Sequence, residues 1–424
     1  MDKEQNFEGV RGFSLGSFAV SWEQRKVGEL LIERNEQAPM NEEYPLMAFI
    51  ANEGVAPKGE RYDRSSLVTD TENKLYKRTE FGDFIYSSNN LETGSIGLNK
   101  YGKACISPVY SVFHPTGIAD SNFLGRRLVR KDFINSMVKW RQGVIYGQWR
   151  IHESDFLKID IPVPSVEEQI QIGTFLDYLD NLITLHQRKY DKLTNVKKSM
   201  LEKMFPKNGS NVPEIRFKGF SDAWEQRKFD EVFDCTIPNN TLSRSELNYE
   251  SGSVRNIHYG DILIKYGSVV DVQNDEIPFA TGKSSDDFKG ALLQDGDIII
   301  ADTAEDETTG KACEIGNSQG LDVVSGLHTM VCRPRNKMAL GYLGYYLNSD
   351  AYHHQLLPLM QGIKVLSLSR TNVQKTMVCY PKSKAEQQLI ADCFRNLDNL
   401  ITLHQRELEK LKNLKKACLE KMFV

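Results

Sequence analysis

The chain lacks the features that mark membrane, secreted and disulfide-bonded proteins. None of its apolar runs approaches the length of about 18 residues that a membrane span needs, so no span is predicted. The opening residues, MDKEQNFEGV, do not place a basic stretch before an apolar one, so no export signal is expected. The seven cysteines form no CxxC pair, which indicates reduced thiols and no zinc site. These absences predict a cytoplasmic protein.

An excess of positive charge is also missing. The chain has 53 Lys and Arg against 57 Asp and Glu, a net charge of −4. This balance argues mildly against a protein that wraps nucleic acid unaided. The hydrophobic content of 40% is ordinary for a soluble globular protein, and 424 residues allow two or three domains.

Motifs for catalysis and cofactor binding are absent as well. ATGKSSDD (280–287) resembles a phosphate loop, but Ile277 stands where the first glycine is needed, so a turn is predicted. No Asp/Asn-Pro-Pro-Tyr/Phe motif of amino-methyltransferases occurs, nor a glycine-rich loop after a strand. His353 and His354 have no second ligand group nearby, and the acidic AEDE (304–307) is interpreted as a solvated or base-facing loop. We therefore expect no catalytic residue, metal or cofactor in this chain.

What the chain does contain is an internal repeat. LDNLITLHQR begins at residue 179 and again at residue 397. Extended outward, 167–206 aligns with 385–424 with 23 of 40 positions identical. Upstream, WEQRK at 22–26 recurs at 224–228. The repeat predicts two tandem units, each with a WEQRK segment, a variable body and a repeated tail.

The repeat and the turn-rich segment PKNGSNVP set the predicted domain boundaries. The predicted divisions are domain 1 at 1–164, helix 1 at 165–206, a linker at 207–213, domain 2 at 214–382 and helix 2 at 383–424.

The tails are predicted to be long helices that pair with each other. Each opens with a capping box, Ser165-x-x-Glu168 and Ser383-x-x-Glu386, and apolar residues then recur at mixed spacings of three and four. These apolar residues form a stripe, or seam, along each helix. The simplest partner for each seam is the seam of the other helix, although each helix could instead pack on its own domain. The predicted helix-pair interface consists of Leu179, Ile183, His186, Leu193, Leu397, Ile401, His404, Leu408 and Leu411.

Two of these residues test the direction of pairing. His186 and His404 fall near the midpoints of their tails. If the helices pair antiparallel with their ends aligned, the two histidines meet near a pseudo-twofold axis and fix the register. The alternative is that both histidines simply lie at the edge of the seam.

The bodies predict compact α+β domains. Short apolar runs alternate with turns, and Gly-Asp followed by a short β-rich run recurs at 82–90, 260–268 and 296–305. Helical stretches are predicted near 131–141 and 338–360. The predicted fold class is thus α+β, with two tandem domains that are each followed by a long helix.

The segment 120–150 is the strongest candidate for nucleic-acid binding. It has seven basic and two acidic residues, with Phe123, Phe133, Trp140, Tyr146 and Trp149 interleaved. This mixture suits phosphate neutralisation, although a solvated basic face would look the same. The candidate DNA-binding residues are Arg126, Arg127, Arg130, Lys131, Trp140, Arg141 and Arg150, with Asn89, Asn90, Lys265, Tyr266, Lys364 and Arg370.

The tandem layout, WEQRK, the EQ before LDNLITLHQR and the closing LEKMF resemble the specificity subunit of type I restriction–modification systems. EIRFKGFSDAWEQRK, YGKACISPVY and IIIADTAEDETTGKA are also similar to segments of that family. The first 20 residues depart from the pattern, because they lack the VPEIRFKGF found at 212–220. Their role therefore stays open.

The resemblance implies two target recognition domains held by an antiparallel helix pair. Each domain would read one half of a bipartite, asymmetric site in double-stranded DNA, and the helices would set the spacer. Two modification subunits would dock on the helices and bring S-adenosylmethionine and adenine methyltransferase activity. Restriction subunits would bring translocation and cleavage driven by ATP with Mg. The chain itself would be non-catalytic.

Two other classes of protein compete with this interpretation. A methyltransferase or nuclease with degenerate motifs would retain activity as an isolated chain. A helical scaffold that binds only protein would show no sequence-dependent DNA binding, and it leaves the divergent, aromatic-rich bodies unexplained.

Overall fold

A computed structural model describes residues 22–57, 74–143, 149–207 and 209–423. The chain forms two compact units, of which unit 1 comprises 1–185 with 408–424, and unit 2 comprises 186–407. Both units combine helices with largely antiparallel sheets, so the predicted α+β class is confirmed. Tyr146 and the first 20 residues, about which the sequence raised expectations, lie outside the described residues.

The strands of the first body are short and are separated by turns. They are β1 (Glu23–Lys26), β2 (Leu31–Glu33), β3 (Gln37–Ala38), β4 (Ala48–Ile50), β5 (Gly54–Ala56), β6 (Tyr76–Thr79), β7 (Phe84–Tyr86), β8 (Ile96–Leu98), β9 (Ala104–Ile106), β10 (Ser111–Pro115), β11 (Gln142–Gly143), β12 (Trp149–Arg150) and β13 (Asp160–Val163). The helices are α1 (Val27–Leu30), α2 (Ser121–Arg127), α3 (Lys131–Val138), α4 (Glu153–Phe156) and the long α5 (Val166–Lys203).

A four-stranded antiparallel sheet lies at the centre of the core of unit 1, with the strand order β2-β10-β7-β8. Alternate side chains of a strand point to opposite faces, so Phe84 and Tyr86 share one face of β7. Both rings pack on Phe156, with centroids 6.0 and 5.0 Å away. Ile85 points the other way, into a second cluster with Phe49. The FIY run is therefore buried on both faces.

The second body also consists of short strands and short helices, and it is followed by the second long helix. The strands are β14 (Glu225–Lys228), β15 (Phe233–Asp234), β16 (Leu247–Asn248), β17 (Val254–Ile257), β18 (Val269–Asp271), β19 (Phe279–Ala280), β20 (Ile298–Ala301), β21 (Thr303–Ala304), β22 (Ala312–Gly316), β23 (Asp322–Ser325), β24 (Thr329–Pro334), β25 (Leu366–Ser367) and β26 (Met377–Tyr380). The helices are α6 (Phe229–Val232), α7 (Tyr259–Ile264), α8 (Tyr342–Leu347), α9 (Asp350–His353), α10 (Arg370–Val373) and α11 (Lys384–Lys421), with 3₁₀ turns at Arg244–Glu246, Ser285–Phe288 and Leu357–Leu359.

Unit 2 is built on a five-stranded sheet, β15-β24-β20-β22-β18, beside a four-stranded one, β16-β19-β17-β23. Two pairs are parallel, β17 with β23 and β18 with β22. The central strand β20 reads IIIA and is fully buried. Ile298 and Ile300 enter one apolar cluster while Ile299 and Ala301 enter another, which explains its uninterrupted apolar run.

Two of the three Gly-Asp segments confirm the prediction of a short strand. Gly82-Asp83 precedes β7, and Gly296-Asp297 precedes β20. The third prediction is wrong, because Gly260-Asp261 lies inside helix α7. The imidazole of His258 caps that helix by accepting from the N–H of Gly260 at 3.1 Å. A short apolar run such as DILI is compatible with both structures, and the cap decided between them.

Ser165 and Ser383 stand immediately before the long helices, as the capping boxes predicted. Their hydroxyls accept from the N–H groups of Glu168 at 3.3 Å and Glu386 at 3.4 Å. Each helix has 38 residues and begins one residue after its predicted domain boundary at the serine. Within the part of the chain that the structure describes, no helix combines the length and apolarity required to cross a membrane.

Candidate nucleic-acid interface

The WEQRK segment anchors the start of each long helix, and does so identically in both units. In unit 1, β1 pairs antiparallel with β13, the strand that leads into α5. In unit 2, β14 pairs with β26, which leads into α11. The indole N–H groups of Trp22 and Trp224 donate to Glu168 and Glu386, each at 3.3 Å. The capping boxes predicted that the carboxylates of Glu168 and Glu386 accept from backbone N–H groups at the helix starts. In the structure these carboxylates accept from the tryptophan side chains.

Each unit also contains the same ion pair between the two helix segments. Lys415 and Asp180 approach to 2.5 Å in unit 1, and Lys197 and Asp398 approach to 2.5 Å in unit 2. Asp180 and Asp398 are equivalent in the repeat, and so are Lys197 and Lys415. Each aspartate receives a further donor from its own body, Arg126 or Tyr345. The repeat thus encodes a contact between the tails as well as a helix.

The predicted antiparallel pairing is confirmed within unit 2. The Nδ1 atoms of His186 and His404 lie 3.1 Å apart, while Lys197 contacts Asp398, so positions rise along one helix as they fall along the other. Because the histidines are equivalent in the repeat, the two segments are related by a local twofold. Desolvation lowers the pKa of both imidazoles. Neutral rings can share one Nδ1 proton as a hydrogen bond.

The predicted seam residues line these helix segments with graded burial. Leu179 and Leu408 are buried in unit 1. The others are half-buried, as expected for a pair of helices that bury only one stripe. These half-buried positions are Ile183, His186, Leu193, Leu397, Ile401, His404 and Leu411.

The phenylalanine of each LEKMF ends a helix inside an aromatic cluster. Phe205 packs in unit 2 against Trp224, Tyr346 and Phe394, with ring centroids 5.5 to 6.3 Å away. Phe423 packs in unit 1 against Phe123 at 5.4 Å and Trp22 at 6.3 Å. Both side chains are almost fully buried. Each tail is therefore fixed at both of its ends.

With the helices held in this way, each body presents a polar loop and a short hairpin. We call residues 87–95 loop 1 and residues 142–143 with 149–150 hairpin 1. Loop 1 follows β7, and hairpin 1 is formed by β11 and β12. The Trp149 N–H donates to Asn89 Oδ1 at 2.6 Å, and the Ile151 N–H donates to Ser88 Oγ at 3.0 Å. Arg141 forms a bidentate pair with Glu92 at 2.7 Å. We call loop 1 and hairpin 1 together face 1.

Face 1 gathers several of the predicted DNA-binding residues. Asn89, Asn90, Trp149 and Arg150 are exposed on it. The Arg141 guanidinium lowers the pKa of Glu92, so this ion pair persists at neutral pH. Trp140 is nearby in sequence, is 41% exposed, and has the Lys158 ammonium 6.0 Å from its ring centroid.

Unit 2 builds the same combination from unrelated residues. We call residues 302–311, which follow β20, loop 2, and residues 361–367 hairpin 2. Gln361 and Ser367 close the hairpin with two backbone hydrogen bonds of 3.0 and 2.8 Å. Its strand β25 pairs antiparallel with β21 in loop 2, and the Leu368 N–H donates to Asp302 O at 2.8 Å. Together they form face 2, which exposes Lys364. Arg370 follows as the exposed first residue of α10.

Most of the other predicted DNA-binding residues form contacts within their own unit. Arg126 pairs with Asp177 and Asp180, and Arg130 donates to Leu419 O at 2.5 Å, so both hold the helix segments of unit 1. Arg127 is buried beside Asp132. In unit 2, Lys265 pairs with Glu276, and Tyr266 is buried. Lys131 is exposed at the start of α3. Contact of these residues with DNA stays a prediction, and neither face includes them.

Sequence reasoning missed the hairpins as a repeated element. Both begin with Gln-Gly, at 142–143 and 361–362, and both precede a short helix and the strand before a long helix. Loops 1 and 2 also share Glu-Thr-(Thr)-Gly, in LETGS and DETTGK. These short matches were the available signal, but they fall outside the longer repeats. Among the residues described, no group of three ligating side chains could hold a metal ion.

Two α+β units on repeated helices, each with its own loop and hairpin face, define a tandem recognition protein. The chain belongs to the family of type I restriction modification DNA specificity domains, whose model matches residues 19–195 and 221–413.

Individual relatives agree with this assignment. The chain is 23% identical over 433 aligned residues to the type I restriction enzyme MjaVIII specificity subunit of Methanocaldococcus jannaschii, covering 98% of this chain and 94% of that protein. It is 21% identical to the putative MjaX specificity subunit of the same organism, covering 98% and 95%. The crystal structure of a type I restriction-modification S subunit from M. genitalium has the same fold, with a TM-score of 0.52, 14% identity, and coverage of 97% and 98%.

Proposed function

We propose that this chain is the DNA sequence-recognition subunit of a type I restriction–modification complex. The observation that carries the proposal is that the same helix anchors occur twice, each time with a different body attached. Face 1 presents Asn89, Trp149 and Arg150, whereas face 2 presents an acidic loop and Lys364. Two different faces on equivalent supports suit a bipartite site whose halves differ in sequence.

Each face would read one half of that site in double-stranded DNA. Arg, Lys, Asn and Asp side chains form base-specific hydrogen bonds in the major groove. Faces 1 and 2 expose such groups on polar loops and on short hairpins, and the major groove admits a two-stranded ribbon. The helices would set the length of the unread spacer. A 38-residue helix is about 57 Å long.

The chain would act without catalytic residues, metal or cofactor of its own. Two modification subunits would supply adenine methylation with S-adenosylmethionine, and restriction subunits would supply ATP- and Mg-dependent translocation and cleavage. Apolar side chains exposed on the long helices support docking of two equivalent partners. Repeat-equivalent pairs are exposed at Leu185 and Leu403, and at Val196 and Leu414.

The charge of the chain predicts that partners strengthen DNA binding. With a net charge of −4, this chain alone would hold DNA weakly and with strong dependence on salt. Modification subunits with basic DNA-facing surfaces would complete the attraction to phosphate.

The decisive experiment is genome-wide mapping of methylated adenine in cells that express the chain with its modification partner. We expect a bipartite motif that vanishes when the chain is deleted and loses one half when residues 229–382 are exchanged for those of a relative. A complex that assembles but shows no chain-dependent motif would overturn the proposal and leave a protein-binding scaffold.

A further inference from the structure

Hairpin 2 holds an isoleucine almost entirely in solvent. Ile363 is 99% exposed, the highest value among the large apolar side chains that the structure describes. Its neighbours Lys364 and Val365 are also exposed. The position is well defined, because Gln361 and Ser367 close the hairpin and β25 is bonded to β21. An aliphatic side chain that is this exposed on a hydrogen-bonded hairpin is available to a ligand.

We propose that Ile363 enters the major groove of the half-site read by unit 2 and contacts the C5-methyl group of a thymine. The inference rests on the proposed function. A two-stranded ribbon fits the major groove, and an aliphatic side chain recognises thymine there through its methyl group.

The charges around hairpin 2 favour the groove over the phosphate backbone. Loop 2 exposes Glu305, Asp306 and Glu307 beside the hairpin. Hydrogen bonds from Thr308 lower the pKa of Asp306, so this carboxylate is ionised at neutral pH. Carboxylates repel phosphates, but they accept hydrogen bonds from cytosine N4 in the major groove. Lys364, next to the tip, is the one basic residue of hairpin 2 and is placed to meet a phosphate at the rim.

Ile363, the acidic loop 2 and Lys364 would thus have different roles in DNA binding by face 2. Ile363 and loop 2 would contribute sequence discrimination, whereas Lys364 would contribute affinity that is independent of sequence. Hairpin 1 occupies the corresponding place in unit 1, with Trp149 49% exposed. The two hairpins would therefore bring different side chains to different half-sites from the same place in the fold.

The test measures binding of the full chain, in complex with its modification partner, to duplexes that carry the motif found by methylation mapping. In the half-site of unit 2, each thymine is replaced in turn by deoxyuridine, which removes only the methyl group. We expect one replacement to weaken binding about threefold to tenfold. Ile363→Ala should cause a similar loss, and it should abolish the effect of that one replacement, because the two changes remove the same contact.

Two control variants separate the contact from general damage. Ile264→Ala truncates a second isoleucine of unit 2, 88% exposed and outside hairpin 2, and it should leave binding unchanged. Lys364→Gln should weaken binding to all sequences alike and reduce the dependence of log K on log salt by about one.

The inference is overturned if Ile363→Ala binds like the wild type, if its loss simply adds to that of every deoxyuridine replacement, or if the half-site contains no thymine. In each case the wild-type complex still has a chain-dependent motif, so the proposed function survives. Absence of that motif in the wild type would instead defeat the proposed function.

Discussion

Units 1 and 2 share their supports and differ in the bodies they support. Trp22 with Glu168 and Trp224 with Glu386 form the same hydrogen bond at the same distance of 3.3 Å. The bodies follow different plans, because unit 1 is organised around a four-stranded antiparallel sheet and unit 2 around a five-stranded mixed sheet. The residues that anchor the helices are kept in both copies, whereas the bodies show little mutual similarity.

The largest expected difference between the units concerns the phenylalanines that end the helices. Phe205→Ala should lower the unfolding free energy of unit 2 by about 3–5 kcal/mol, because it empties a site enclosed by several rings. Phe423→Ala should cost unit 1 about half as much, because Phe423 packs on the rings of Phe123 and Trp22 whereas Phe205 packs on four rings. Hydrogen exchange during denaturation, resolved by unit, measures both losses.

Leu414→Ala, at a side chain 42% exposed on α11, is the control and should change stability by less than about 0.5 kcal/mol. Equal losses for the two phenylalanine variants would show that both anchors are enclosed to the same degree.

A smaller difference is expected at the helix-start carboxylates. Glu386 is buried and accepts from Arg216 at 2.6 and 2.9 Å as well as from Trp224. Among the residues that the structure describes, Trp22 is the one side-chain hydrogen-bond partner of the Glu168 carboxylate. Glu386→Gln should therefore destabilise unit 2 by roughly 2–3 kcal/mol, because it leaves a largely buried guanidinium without its counter-charge.

Glu168→Gln keeps an acceptor for Trp22 and should cost unit 1 less than about 1 kcal/mol. Thermal unfolding of both variants, followed separately for each unit by hydrogen exchange, provides the comparison. A loss in unit 1 as large as that in unit 2 would contradict the role assigned to Arg216.

A further difference between the units concerns their buried acids and the dependence of stability on pH. Burial raises the pKa of Asp83 in unit 1, but Arg34 lies 2.9 Å away and opposes the shift. Burial raises the pKa of Glu314 in unit 2 from 4.5 to about 7, against hydrogen bonds from Gly341 N and Gly344 N.

Between pH 4.5 and about 7, folded unit 2 retains a proton on Glu314 that the unfolded chain has lost. The unfolding free energy of unit 2 should therefore fall as pH rises through this window, by on the order of 2 kcal/mol. Glu314→Gln should flatten that decline in denaturation midpoints measured from pH 4.5 to 8. An unchanged slope in the variant would assign the pH dependence to another group.

Much of the helical architecture could be predicted because its signals are local and repeated. Ser165 and Ser383 predicted the helix starts to within one residue, and the mid-tail positions of His186 and His404 predicted their contact. The bodies were predictable only as α+β. Their strands are two to six residues long, and short apolar runs such as DILI do not separate strand from helix.

For the candidate site, the sequence predicts which residues are suited to bind DNA but not which of them the fold exposes, for a physical reason. From the sequence alone, a basic side chain that contacts DNA cannot be distinguished from one that pairs with an acidic side chain of the same protein. Arg126 and Arg130 turned out to hold helix segments, and Arg127 to be buried beside Asp132, although all three lie in the most basic segment. Asn89, Arg150 and Lys364 are displayed on the two faces. Which role each residue takes depends on neighbours far away in sequence.

The sequence by itself determined the tandem plan, the two long helices, their antiparallel pairing and the kinship with specificity domains. Hydrophobic periodicity and helix caps involve only a few neighbouring residues, and repeats can be found by comparing one part of the chain with another. All three can therefore be recognised in the sequence. Only the tertiary structure decided that Glu168 and Glu386 bind tryptophans, that the Gln-Gly segments form hairpins against the polar loops, and that Ile363 stands in solvent. These features depend on packing between segments far apart in the chain, which no local pattern specifies.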